Sequence, residues 1–232
     1  MYFFDPMYLV LVMLPGLLVS GIASMMVRSA FNRYSQVRSA KGFTGAKAAQ
    51  ILLDRAGIHD VRVVPTRGFL SDHYNPASKE LALSESVYSS NSVAAIGVAC
   101  HEAGHAIQHA RHYSPLWIRS ALVPMASIGS SLGYVVMALG LFMSKYVVLA
   151  GVAIFSAVLL FQLVTLPVEF NATARAKRLV LEAGIIYPEE REGVDRVLNA
   201  AAMTYVAAVI STLLTILYFL WRAGLLGGRG DD

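Results

Sequence analysis

Four apolar runs, near residues 6–27, 120–143, 145–166 and 200–221, constrain this chain more than any other feature. Each matches the ~20 residues that an α-helix needs to cross the hydrocarbon core of a bilayer. In that core every backbone N–H and C=O must be satisfied within the segment itself, so a helix is the natural outcome. Composition agrees: 56% of the 232 residues are apolar and the mean hydropathy is +0.56, against about 45 to 50% apolar residues in a soluble domain. Four transmembrane helices are expected. The first run lacks the basic stretch that opens a cleaved leader, carrying Met1-Tyr-Phe-Phe-Asp5-Pro6 instead, and it reads as a retained anchor.

Most Lys and Arg residues fall in two polar stretches between these runs. Residues 28–116 carry Arg28, Arg33, Arg38, Lys41, Lys47, Arg55, Arg62, Arg67, Lys79 and Arg111, and residues 168–198 carry Arg175, Lys177, Arg178, Arg191 and Arg196. The opposite flanks hold Lys145, Arg222 and Arg229. The excess of positive charge puts both polar stretches in the cytoplasm and both chain ends outside, as expected for a multi-pass protein of the inner (plasma) membrane. The basic residues are dispersed rather than interleaved with aromatic stacking positions, which argues against nucleic acid as a partner. The single cysteine, Cys100, excludes an internal disulfide framework and adds nothing to the case for a thiolate metal site, which needs several sulfurs.

Within the polar stretches, Thr44 to Gly57 predicts a helix: Thr44 caps it, Ala48, Ile51, Leu52 and Ala56 recur at helical spacing, and Gly57 suits the position just past its end. Asp60–Val64 and Lys79–Ser84 alternate as short strands, the second after a turn at Asn75-Pro76-Ala-Ser. Lys79–Ser84 is expected at a sheet edge, where an extended peptide could pair with it. Ser92 opens a helix that runs without a breaker through His101 and ends among His109, Arg111, His112 and Pro115. Residues 120–166 form a transmembrane hairpin around Ser144-Lys145, and Pro167 is expected to start a fresh helix through Glu169 to Gly184.

His101-Glu102-Ala103-Gly104-His105 carries the chemistry. On a helix, two imidazoles at i and i+4 share one face and can share a zinc ion, and the carboxylate between them can take a proton from a metal-activated water. Zinc lowers the pKa of such a water toward ~7 and polarises a peptide carbonyl, leaving Glu102 as general base. A third histidine ligand six residues after His105 is ruled out, because position 111 is Arg111. His109 sits one turn further, about 6 Å along the axis, too far for one ion to take all three imidazoles comfortably. No catalytic part is assigned to His109 or to His73. The third ligand should be a carboxylate from a later cytoplasmic helix. Glu169 fits best, with the small side chains of Ala172, Thr173 and Ala176 on its face, whereas most of the competitors, Glu182, Glu189, Glu190, Glu192 and Asp195, fall in or beside a loop at Pro188. Asn171 and Thr173 are candidates to hydrogen-bond the ligands. Arg175 is either an electrostatic stabiliser of the tetrahedral oxyanion or a topogenic charge.

Five segments carry a resemblance across nearly the whole chain: Tyr2-Phe-Phe-Asp5, Gly42-Phe-Thr-Gly-Ala46, Leu70-Ser-Asp-His-Tyr-Asn-Pro76, Val98 to Gln108 around the histidine motif, and Leu166-Pro-Val-Glu-Phe-Asn-Ala172. Together they resemble the YugP-type neutral membrane zinc metallopeptidases of bacteria. The Glu169-Phe-Asn-Ala172 element is also similar to the Glu-Phe/Tyr-x-Ala-Asp element of HtpX-type and CAAX-processing peptidases, whose glutamate is the third zinc ligand. The resemblance implies that role for Glu169. Those relatives carry Asp where this chain has Thr173.

The expected protein is an α-helical integral membrane protein, a single membrane metallopeptidase domain over residues 1–232. A small α+β gluzincin-like part is built from residues 28–119 and 168–198 and binds one zinc ion per chain. Its partners are the lipid bilayer and a protein or peptide substrate; a membrane regulatory partner is compatible with this reading, but no residue pattern identifies one. The non-enzymatic alternative is a catalytically silent zinc-binding scaffold or quality-control adaptor, which would have no need of Glu102. For topology, cysteines placed near residues 60 and 190 should be shielded from an impermeant thiol reagent in intact cells, while one at position 145 should label. Labelling at 60 with protection at 145 reverses the orientation.

Overall fold

A computed structural model describes residues 5–226. Tyr2-Phe3-Phe4 of the first resemblance segment, and the topogenic Arg229, lie outside these residues. Four helices are long and apolar enough to cross a membrane: α1 (Pro6–Ser35), α5 (Ser114–Met143), α6 (Lys145–Glu182) and α7 (Arg191–Arg222), the last entered through a 3-10 turn at Pro188–Glu190. Every expected span lies within one of them, and each helix continues well beyond its apolar run. A helix satisfies its own backbone whether lipid or protein surrounds it, so it need not stop where the side chains turn polar.

Pro167 does not start a new helix. It sits inside α6, which runs unbroken from the third span to Glu182. The missing proline N–H leaves a carbonyl one turn back without its usual donor, a loss that spanning helices tolerate when neighbouring groups compensate. Glu169 and the residues after it therefore project from the same rod that crosses the membrane.

The chain divides into two compact units. The membrane unit contains Trp117–Leu166 with α1 up to Ala23 and α7 from Thr204. In it, α5 and α6 form a hairpin whose contact is set by missing side chains: a Cβ built on Gly151 would lie 2.4 Å from the Met137 backbone nitrogen, and one on Gly133 would lie 2.6 Å from that of Phe155. Between lipid-embedded helices, this kind of close backbone approach replaces the hydrophobic drive that water supplies elsewhere. Val12, Met137, Val148, Phe155 and Phe219 fill the centre of the unit.

The second unit, Ser24–Leu116 and Pro167–Met203, holds the polar stretches. Its helix α2 (Gly45–Arg55) is capped by Thr44, whose hydroxyl accepts from the Lys47 N–H at 3.2 Å. Gly57, past the end, takes φ +73°, where a Cβ would be strained. A three-stranded sheet follows, with β1 (Arg62–Thr66), β2 (His73–Asn75) and β3 (Glu80–Ser84) in the order β1-β3-β2. β3 pairs parallel with β1 and antiparallel with β2. It is thus the central strand, buried from Leu81 to Ser84, and the expectation that Lys79–Ser84 forms an open edge is wrong. The short β2, hidden next to the Asn75-Pro76 turn, occupies that edge. A single turn, α3 (Glu85–Tyr88), leads to α4 (Val93–Ala110), which Ser92 caps by accepting from the Ala95 N–H at 3.2 Å. The core is built from α2, α4, β3 and the later helices, with Leu52, Leu53, Leu81, Leu83, Ile96, Ile185 and Leu198 fully buried.

Replacing Gly151 by Leu should force the hairpin helices apart. Filling a well-packed contact usually costs about 1 to 3 kcal/mol, so the variant should lose thermal stability and monodispersity in detergent, and unchanged melting would show that the hairpin does not depend on this approach.

Candidate metal centre

The centre is assembled where α4 meets the part of α6 that follows Pro167. Gly104 makes the meeting possible: a Cβ there would stand 3.0 Å from the Ala172 carbonyl oxygen and 3.4 Å from its Cα. With hydrogen at Gly104 and methyl groups at Ala172 and Ala176, the two backbones come close enough for short side chains to reach across.

His101, His105 and Glu169 converge, each offering one ligand atom within 4.8 Å of the others. The Nε2 atoms of His101 and His105 lie 3.3 and 3.5 Å from the same oxygen, Glu169 Oε2, and the two rings stand nearly perpendicular, 4.8 Å apart. Glu169 is only 2% exposed. Burial opposes its ionisation, but hydrogen bonds from His101 and His105 and their charge outweigh this and hold the carboxyl well below its usual range. For His105, burial disfavours the charged ring. Its bond to Glu169, the charges of Glu102 and Glu169, and the Gln108 side chain overcome that and raise its pKa. Two imidazole nitrogens and one carboxylate oxygen, with no thiolate, are a donor set that suits a zinc ion.

The far side of each imidazole is also held. His101 Nδ1 lies 3.3 Å from Thr173 Oγ1, and His105 Nδ1 lies 3.0 Å from Gln108 Oε1. If both Nδ1 atoms carry the proton and donate, both Nε2 lone pairs are free for a metal. Gln108, fully buried, spends its amide on the opposite helix, donating to the Val168 carbonyl at 2.8 Å and to Asn171 Oδ1 at 3.0 Å. That oxygen accepts in turn from Arg175 Nε at 2.7 Å.

The profile of a family described as "Putative neutral zinc metallopeptidase" matches residues 9–224. The chain belongs to this family. It is 42% identical over 211 residues, 90% of its own length and 93% of the relative's, to the "Putative membrane protease YugP" of Bacillus subtilis (strain 168). No solved structure matches the chain.

The histidine motif lies on one helix, α4, as expected, and Glu102 is buried beside the His101–His105–Glu169 cluster with 9% exposure. Its carboxylate has no hydrogen-bonded partner among the described residues. Asn171 touches no ligand directly and reaches His105 only through Gln108, whereas Thr173 touches His101 itself. Arg175 points toward a cavity lined by Arg55, Arg111 and Arg178 and is not in the ligand cluster. His73 is exposed, its Nδ1 2.8 Å from the Ser71 carbonyl, and His109 meets the Tyr74 hydroxyl at 2.8 Å. Of the competing carboxylates, Glu190 accepts from the Ala40 and Tyr187 N–H groups, Glu182 faces Arg178, Glu192 faces Arg196, and Asp195 faces Lys177 and Arg191.

Two residues escaped the sequence reading. Gln108 was legible in principle, since i+3 from His105 puts it within reach of that ring. Asp72 carried no such signal: its carboxylate accepts from the Ser84 N–H at 2.8 Å and from the Ser84 hydroxyl at 3.1 Å, ties the loop before β2 to the end of β3, and is pushed up by burial and by the charge of Glu102.

Glu169→Ala protein purified without added metal should be largely zinc-free, while Glu189→Ala should keep its zinc. Gln108→Leu, which leaves all three ligands in place, should weaken zinc binding by about 10- to 100-fold. Elemental analysis and chelator competition measure both effects, and normal zinc in Glu169→Ala would move the third ligand elsewhere.

Proposed function

We propose that this protein is a gluzincin-type, zinc-dependent endopeptidase that hydrolyses peptide bonds of membrane or membrane-proximal proteins on the cytoplasmic side of the inner (plasma) membrane. The observation that carries the reading is the convergence of both Nε2 atoms on one oxygen of Glu169, with Glu102 buried and unpartnered beside them. His101, His105 and Glu169 would hold one zinc ion per chain. The metal, when bound, supplies Lewis acidity toward a peptide carbonyl and acidifies water.

The chain's own residues do the rest. Glu102 accepts the proton of the attacking water and returns it to the leaving amine, a transfer that contributes about 10² to 10⁴ in rate when well placed. Thr173 and Gln108 hold the two imidazoles in the tautomer that faces the metal, so little reorganisation is left for the reaction. The cytoplasmic assignment rests on the Lys and Arg excess of residues 28–116 and 168–198. We read the two compact units as one functional domain, because α1, α6 and α7 each contribute to both.

A zinc scaffold without turnover would leave Glu102 with nothing to do, and burial of an idle carboxylate carries a desolvation cost. Glu102→Gln should retain about one zinc per chain and lose roughly 10² to 10⁴ in peptide hydrolysis. Comparing membrane proteomes of cells carrying native or Glu102→Gln protein should reveal cleavage sites that only the native chain produces. Near-native hydrolysis by Glu102→Gln would exclude general-base catalysis by this residue, and an inactive native protein that still binds zinc would favour the scaffold.

A further inference from the structure

A cavity of about 510 Å³ opens on the opposite side of the α4–α6 seam from the zinc ligands, among α2, the end of α4 and the last turns of α6. Helix geometry places it there. At about 100° per residue, Ile107 and Arg111 project about 120° to 160° away from His105 on α4, and Arg175 and Arg178 project about 120° to 180° away from Glu169 on α6.

Its polar lining is four arginines, Arg55, Arg111, Arg175 and Arg178, against the one carboxylate of Glu182. Two of them are partly occupied: Arg55 donates from Nη1 to the Glu182 carbonyl at 2.9 Å, and Arg178 Nε lies 3.6 Å from the Glu182 carboxylate. The other two are less engaged. Arg111 has no side-chain partner among the described residues, and Arg175, which lines the cavity, spends only Nε, on Asn171. Like charges gathered around a space with two unused guanidinium forks are stable together when an anion lies between them. A phosphoryl group, with several oxygens and up to two charges, can be shared by two forks at once.

Arg175 also belongs to a relay. Its Nε donates to Asn171 Oδ1, the same oxygen accepts from Gln108 Nε2, and Gln108 Oε1 faces His105 Nδ1. Gln108 and Asn171 thus bridge the seam between the cavity and one imidazole of the metal centre. We infer that the arginine cavity binds a phosphoryl group and that its occupancy, by anchoring Arg175, steadies the Asn171–Gln108 relay and tightens the zinc site. The inference rests on the proposed zinc site for its regulatory half and on the cavity alone for its binding half.

The full chain in detergent should bind inorganic phosphate saturably by isothermal titration calorimetry. Arg111→Gln and Arg175→Gln should each weaken binding at least about tenfold, the loss of one charge-assisted pair, with Arg111→Lys retaining part of it. In phosphate-free buffer, Arg111→Gln should match the native chain in zinc content and peptide hydrolysis, since Arg111 touches neither. Coupling between sites is reciprocal, so zinc-loaded native protein should bind phosphate about fivefold or more tighter than zinc-free protein, and Arg175→Gln should abolish that difference.

Two sources of the group are separated by reconstitution. Phosphate binding that is lost in nanodiscs containing phosphatidylglycerol, but kept in phosphatidylcholine alone, assigns a lipid headgroup. Binding that is unchanged in both assigns a soluble phosphoryl ligand. Equal phosphate binding by native and Arg111→Gln protein overturns the site, including the case in which phosphate sits on the zinc. So does binding of an oligoglutamate peptide without binding of phosphate. Equal affinity with and without zinc overturns the coupling. A native protein that binds phosphate at the arginines but hydrolyses no peptide refutes the peptidase reading while leaving the anion site standing.

Discussion

Everything at the metal centre depends on one close approach, Gly104 of α4 against the backbone of Ala172 in α6. A methyl group at position 104 would already be tight, and a larger side chain would hold the helices apart. The carboxylate of Glu169 and the amide of Gln108 are short, so their reach across the seam is lost if the backbones separate. Small residues here do not stabilise by what they bury; they set the distance at which other residues act.

The seam has two sides with different chemistry. On one side, two imidazoles and a buried carboxylate face each other, which is unfavourable to desolvate singly and tolerable only because the groups compensate one another. On the other, four arginines line a cavity at the end of α6, with Glu182 as partial counter-charge. Gln108 and Asn171 join the two. A fully satisfied buried amide such as Gln108 is rigid because every donor and acceptor is committed, so it transmits position from one helix to the next.

The membrane helices contribute more than anchoring. Because α6 passes Pro167 without a break, Glu169 stands on a rod whose other end crosses the bilayer, and its backbone is ordered by the helix itself rather than by a loop. A ligand on a rigid element keeps its geometry closely, but rigidity does not set Glu169 apart from the carboxylates near Pro188. Glu189 and Glu190 sit in a 3-10 turn and Glu192 in the first turn of α7 rather than in the loop the sequence suggests, and the difference is reach across the α4–α6 seam.

Much of this was readable from residues alone. The four apolar runs specify spanning helices because no other local structure satisfies a backbone in lipid, and His101, Glu102 and His105 are close to one another on any helix, because their separation is local. Thr44, Gly57 and Ser92 mark helix ends through hydrogen bonds that span three residues or fewer, or through a backbone angle. What the sequence by itself could not decide is long-range. The place of β3 in the middle of the sheet depends on a three-residue strand too short to show alternation, and the continuity of α6 depends on surroundings that make a proline tolerable. The meeting of Glu169 with two histidines more than sixty positions earlier depends on how two helices pack. Local spacing is written in the order of residues; the choice among several equally acidic side chains is made only when tertiary packing brings one of them within reach.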